Sequence, residues 1–398
     1  MAEAVALHDL RSELRGWLEE NCPETMRRPG QILSGGEKEP IENPDSRVWL
    51  ERCAERGYTV ANWPREYGGA GFSMDEFLVL MQEMRRINAR IPLGGMGVSM
   101  IGPTLLEYGT EEQKRTHLTR IANGEVRWCQ GYSEPGSGSD LASLQTRALD
   151  EGDHFVVNGS KIWTTLAHYG DWMFCLVRTD PRAPKHEGIS FVLFPMDQVG
   201  VTVEPIKLLS GDSPFCQCFF DDVIAKKDDL IGELNQGWTV GKRLLQHERS
   251  GITSLAGAED YYAPRERPIS ELAKDYVGEK NGNIGDTELR DDVVRLAMNT
   301  RAFLLTQRRA VEEARGGNTP GAATSLFKLY GADLDKESRE LRLRILGHQA
   351  LGWEGQGFAD EEITVTRGWL GSKASSIAGG TNEVQLNIIA KRVLGLPD

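Results

Sequence analysis

Residues 131–140 read "GYSEPGSGSD". A tight loop is written into them: Pro135 fixes one φ, and Gly136 and Gly138 free the backbone on either side of Ser137. The serines admit two readings, a solvated turn or a loop that offers hydroxyl and N–H donors to an oxygen-rich ligand. No glycine follows Gly138 by three residues and no strand–helix–strand unit surrounds the loop, so it is not a dinucleotide fingerprint. It also lacks the Gly-x-Ser-x-Gly frame of a nucleophile elbow.

The loop sits in a strand-rich segment, residues 126–235. There "RWCQGY", "HFVVNG", "WMFCLVRT", "GISFVLFP", "GVTVEPI" and "FCQCFFDDV" are separated by Gly, Pro, Asp and Asn. That spacing suits an antiparallel barrel or sandwich. Residues 1–125 and 236–398 carry helical spacing instead, as in "DEFLVLMQEMRRI" and "LRDDVVRLAMNTRAFLLTQRRAVEEA". Ser73 and Glu76 have the spacing of a capping box. The stretch "AKDYVGEKNGNIGDTE" reads as an exposed polar loop, and Asn158-Gly159 as a hairpin turn. The expected class is α+β, in the order helices, sheet, helices.

The bulk properties exclude several roles. The chain has 398 residues and a formal charge of −13, from 46 basic and 59 acidic residues. That charge argues against nucleic acid and anionic membrane surfaces as partners. No run approaches the roughly 18 apolar residues of a membrane span, and "MAEAVALHDLRSELRGWLEENCPE" lacks the pattern of a signal peptide. The six cysteines are scattered, and Cys216 and Cys218 have no further metal ligands nearby, so no metal is expected. Buried free thiols in a reducing compartment, the cytoplasm, fit best.

Two more stretches bear on function. In "NGSKIWTT" (158–165), Trp163 and Thr165 fall on one strand face, as a platform for a flat heteroaromatic ring or as plain packing. In "AGGTNEVQ" (378–385), a glycine pair precedes a helix whose free N–H groups suit an anion or a cofactor oxygen.

The motifs "WPREYGGAG" (63–71), "YSEPGSGSD" (132–140), "NGSKIWTT", "FFDDV" (219–223) and "GGTNEVQ" (379–385) occur in that order across nearly the whole chain. In this the sequence resembles the acyl-CoA dehydrogenase family. The resemblance implies an N-terminal α-helical domain (1–125), a central β-domain (126–235) and a C-terminal four-helix bundle (236–398). It implies FAD held between the β-domain and the C-terminal helices. Ser133 would meet the flavin, and Ser139 the CoA phosphate region. Trp163 would lie against the isoalloxazine with Thr165 near N5, and Thr381 and Glu383 would approach the FAD phosphates or adenosine. The implied reaction converts an acyl-CoA to its 2-enoyl-CoA and passes electrons to an electron-transferring flavoprotein. A flavin-dependent monooxygenase or oxidase on the same fold is the alternative.

Such a reaction needs a carboxylate to take the α-proton. Many family members carry it directly before the Gly-Thr of the terminal motif, where this chain has Gly379. A branch resembling the isovaleryl- and long-chain-type enzymes carries it on an earlier helix, immediately before an Arg. "LLQHERSGI" matches that branch, with Glu248 as the expected base and Arg249 beside it as a substrate contact. His247 is read as structural. Gly379 is left to act through its N–H on the thioester carbonyl.

Two stretches depart from homotetrameric members of the family. Where an "R-x-x-F-G-x-x-L"-like segment is usual, this chain has "YYAPRERPISELAKD", with Arg265 and Arg267 but no Phe-Gly. "RILGHQALGWEG" keeps only the glycines Gly347 and Gly352 of a second such segment. The pattern resembles the catalytic chain of heteromeric sterol or bile-acid side-chain enzymes. An α2β2 heterotetramer with a related chain is therefore expected, with a homo-oligomer as the alternative.

Overall fold

The computed structural model describes residues 2–249, 267–315 and 324–397. It contains two compact units, Met1–Ile206 with Pro214–Arg265, and Lys207–Ser213 with Glu266–Asp398.

In the first unit, helices α1 (Ala2–Asn21), α2 (Asp45–Glu55), α3 (Met74–Arg86), α4 (Gly102–Tyr108) and α5 (Glu111–Ala122) precede the sheet. The Ser73–Glu76 capping box starts α3, and a second box, Thr110 with Gln113, starts α5. Gln113 also donates to the carbonyls of Asp228 and Leu230 at 2.6 and 2.8 Å, which ties α5 to the end of the sheet. Helices α1 and α3 are joined through Glu83. Its buried carboxylate accepts from Arg11, Arg15 and Arg86 at 2.7–3.1 Å.

The strands are β1 (Trp128–Gly131), β2 (Arg147–Asp150), β3 (His154–Thr165), β4 (Trp172–Arg178), β5 (Ile189–Pro195), β6 (Val201–Ile206), β7 (Phe215–Lys226) and β8 (Leu230–Ile231). They form one sheet in the order β6-β7-β3-β2-β4-β5-β8, with β1 parallel to β4. Most of the pairing is antiparallel, as the spacing predicts. Central strands are covered on both faces. In β4, Phe174 and Leu176 face a core shared with Trp63, Ile101, Leu105 and Leu118 of the N-terminal helices. Met173, Cys175 and Val177 face a second core with Phe155, Val192, Phe194 and Phe220. Double burial explains why β4 and β5 read as continuous apolar runs. Helix α6 (Gly237–Arg249) packs Val240 and Leu244 into the first of these cores.

Two local expectations are corrected. Asn158-Gly159 is not a hairpin turn; both lie inside the twelve-residue strand β3. The turn falls at residues 151–153, where Gly152 has φ +95°. Gly159 instead sits at a register shift, with φ +148°, and a Cβ there would lie 2.7 Å from Thr146 Cα. The extra residue of that shift lies in β7, where Asp222 has φ +52°, and the Asn158 amide bonds to Asp222 across it at 2.9 and 3.1 Å; the glycine serves its own φ and the close approach of Thr146. The second correction concerns "AKDYVGEKNGNIGDTE". It spans the end of the Ile269–Val277 helix, a short hairpin of Glu279–Lys280 with Asn283–Ile284, and the start of the Thr287–Arg315 helix. Its Ala273 and Ile284 are buried.

The second unit is helical, with Thr324–Leu346, Asp360–Gly371 and Asn382–Ile388 completing the set described there. Leu272, Leu296, Leu341, Ile345 and Val365 form its core. No helix among the described residues is long and apolar enough to cross a membrane.

Candidate active site

The loop after β1 is fastened to β3 from below. Lys161 is fully buried on β3, and its Nζ donates to the Tyr132 carbonyl at 2.9 Å and to Glu134 Oε1 at 2.8 Å. Glu134 also accepts from the backbone N–H groups of Gln145 and Thr146 at 2.6 and 2.8 Å. Burial pushes the Glu134 carboxyl up. The Lys161 ammonium and these hydrogen bonds outweigh that effect and hold it below its ordinary value. Between the two anchors, the Ser133 carbonyl accepts the Ile162 N–H at 2.8 Å. Beyond them, mutual backbone bonds of 3.0 Å between Glu134 and Ser137 close the turn. Ser139 stands exposed at its tip.

Trp163 follows directly. The β3–β7 register shifts between Lys161 and Thr164, and Trp163 adopts φ +62°, unusual for an aromatic residue. Its ring is 53% exposed and meets Phe215 edge-on at 6.1 Å. Thr164 points into the core, which leaves the half-buried Thr165 on the Trp163 side. The Ser133 and Thr165 hydroxyls make no hydrogen bond among the described residues. An exposed indole face with two free hydroxyls on neighbouring backbone fits a flat ring that carries heteroatom acceptors.

The terminal motif lies in the second unit. Gly379 and Gly380 have φ +66° and +93°, which only glycine adopts at no steric cost. Thr381 caps the last helix, accepting from Val384 N at 3.2 Å. Glu383 lies in the first turn, where its own backbone N–H and then the Thr381 hydroxyl hold its carboxyl below the ordinary value. Gln385 is fully buried beneath the turn. It donates to the carbonyls of Gly379 and Gly380 at 3.3 and 3.5 Å, and its own Oε1 is buried with no partner.

Glu248 and Arg249 fall in the last turn of α6, and their side chains lie outside the described ones, as does that of His247. Arg265 lies outside the described residues altogether. Arg267 is engaged within its own unit by Asp275 and by Glu361, the latter at 3.3 Å.

The structure thus joins Ser133, Trp163 and Thr165 on one continuous patch, and Gly379, Thr381 and Glu383 on another. Sequence reasoning missed Glu134, Lys161 and Gln385. A signal for Lys161 exists: it falls at a core-facing position of β3, where a lysine requires a buried partner.

The sequence matches the N-terminal (residues 7–125), middle (129–223) and C-terminal (235–394) domains of acyl-CoA dehydrogenases. It is 36% identical to the acyl-CoA dehydrogenase IpdE1 of Mycobacterium tuberculosis, over 98% of each chain. The Tcur3481-Tcur3483 steroid ACAD superposes with a TM-score of 0.76 at 32% identity, over 99% of this chain and 98% of that one. The ChsE4-ChsE5 complex from Mycobacterium tuberculosis gives 0.74 at 30% identity, over 99% and 98%. The chain belongs to the acyl-CoA dehydrogenase family. It is an oxidoreductase acting on acyl-CoA thioesters and, like the family, a FAD-dependent flavoprotein.

Proposed function

We propose that the protein dehydrogenates an acyl-CoA thioester at Cα–Cβ with Glu248 as the base. One observation carries the assignment. Position 379 offers no side chain, its φ of +66° disfavours one, and the carboxylate must come from elsewhere. Helical spacing supports α6 as the source. Positions 241, 244 and 248 fall within about 60° of one another around the axis, and Gly241 and Leu244 are buried.

In this reading Glu248 takes the α-proton while the Gly379 N–H donates to the thioester carbonyl, which stabilises the charge that develops there. Bound FAD supplies the acceptor for the β-hydride. Ser133 and Thr165 donate to the ring, Trp163 lies against it, and Thr381 and Glu383 face the phosphate or adenosine end. Ser139 and Arg249 contact the CoA ester. Electrons then pass to an electron-transferring flavoprotein in the cytoplasm.

The substrate is a bulky acyl group of the steroid side-chain type, a reading supported by the similarity to a steroid ACAD. The partner is a related chain. The departures from the homotetrameric pattern at residues 261–275 and 344–355 and the similarity to the ChsE4-ChsE5 complex support a heteromer over a homo-oligomer.

The test is anaerobic titration of the yellow protein with straight, branched, aromatic and steroid acyl-CoAs. A steroid ester should bleach the flavin, and Glu248→Gln should keep the colour and lose the bleaching. Bleaching by that variant would remove Glu248 from its role. FAD loading, measured for the chain alone and with a related chain, decides the partner; full loading alone would overturn the heteromer.

A further inference from the structure

The buried Glu134–Lys161 pair does more than the fold requires of it. A buried ion pair is on average no more stabilising than apolar residues of the same size, because both charges are desolvated. Here its bonds are concentrated on a few residues. Lys161 grips Tyr132 and Glu134, the two neighbours of Ser133, and Glu134 grips the backbone of Gln145 and Thr146. Ser133 in turn accepts from Ile162, the residue before Trp163. Trp163 has φ +62° at a register shift, a backbone state that persists only where the surroundings over-determine it.

We propose that the Glu134–Lys161 pair is a positioning device. It locks Ser133 and Trp163 into the flavin-receiving arrangement before the cofactor arrives, so that binding does not bear the cost of ordering them. The inference rests on the reading that these two residues face FAD. Its chemistry is preorganisation: what the pair contributes appears in cofactor affinity and not in net stability.

The variant that separates those two effects is Glu134→Gln with Lys161→Met. Neutralising both partners leaves no uncompensated buried charge, so thermal stability of the apoprotein should stay near that of the parent. FAD affinity, measured by flavin fluorescence on protein prepared with its partner chain if loading requires one, should fall at least about tenfold. Quenching of tryptophan fluorescence by bound FAD should weaken with it. Parental affinity in the double variant would overturn the proposal and leave the pair a stabilising element. Failure of the parent protein to bind FAD would instead overturn the flavin reading, and the proposal with it. If the double variant does not fold, Glu134→Asp alone is the second arm. It keeps both charges and draws the carboxylate back from the Gln145 and Thr146 N–H groups, and unchanged FAD affinity there would equally overturn the proposal.

Discussion

The Gln385 amide donates to the Gly379 carbonyl at 3.3 Å from a side chain that is fully buried. The peptide preceding that carbonyl carries the N–H assigned to the thioester oxygen, so the aim of the donor depends on this bond. Gln385→Leu removes the tether and leaves Gly379 itself intact. Anaerobic stopped-flow reduction of the flavin should slow about tenfold, with little change in substrate KM. An equal loss in both would mean that Gln385 supports binding and not the chemical step.

Glu248→Gln should lower the reduction rate by at least about a hundredfold, the low end for loss of a general base. Adding Gly379→Glu to Glu248→Gly should restore part of it, since the space beside Gly379 is open. Recovery will be incomplete because a non-glycine residue with left-handed backbone costs about 1–2 kcal/mol. No recovery at all would show that the two positions do not face one Cα.

Glu83 gives the stability a defined acid limb. Hydrogen bonding from Arg15, then from Arg86 and Arg11, holds its carboxyl at about 2 against the opposing effect of burial. A folded-state value below the unfolded one stabilises at neutral pH, and that stabilisation is lost as pH falls from about 4.5 towards 2. Its size is on the order of 3 kcal/mol, less after solvent screening at the three arginines. Glu83→Gln should lower Tm at pH 7 and remove this part of the acid dependence. Parallel Tm–pH curves for the two proteins would contradict the assignment.

All six cysteines are buried and unbridged. Burial pushes Cys22 up to about 11 and Cys175 and Cys218 up to about 12, far from the thiolate that reacts. A disulfide exchange reagent at pH 8 should therefore find no rapidly reacting thiol in the native protein and six after denaturation. A fast native stoichiometry of one or more would locate an opening in a core.

The order of helices and sheet was legible because each element buries a face with its own period, and the Ser73 and Glu76 cap is local by nature. The second cap, Thr110 with Gln113, carries the same spacing and could have been read. Long-range pairing could not: Glu134 and Lys161 stand 27 residues apart, and nothing in either motif names the other. Gln385 reads as an ordinary polar residue of a final helix until the glycine turn folds back over it. Asn158-Gly159 misled because the glycine that a turn needs also serves a close backbone approach inside a strand.

The β3–β7 pairing is offset twice, by an extra residue of β7 opposite Val157–Gly159 and by an extra residue of β3 between Lys161 and Thr164. Only the second changes which β3 side chains face inward, from Phe155, Val157 and Lys161 before it to Thr164 after it, much as a frameshift resets a code. Removing one residue between the two offsets would reverse the facing of everything on one side of the cut, presenting a lysine to solvent or a tryptophan to the core. The length of this segment is therefore as constrained as Gly159, Lys161 and Trp163 themselves: substitutions at its solvent-facing positions should be tolerated, and a deletion at any of them should not.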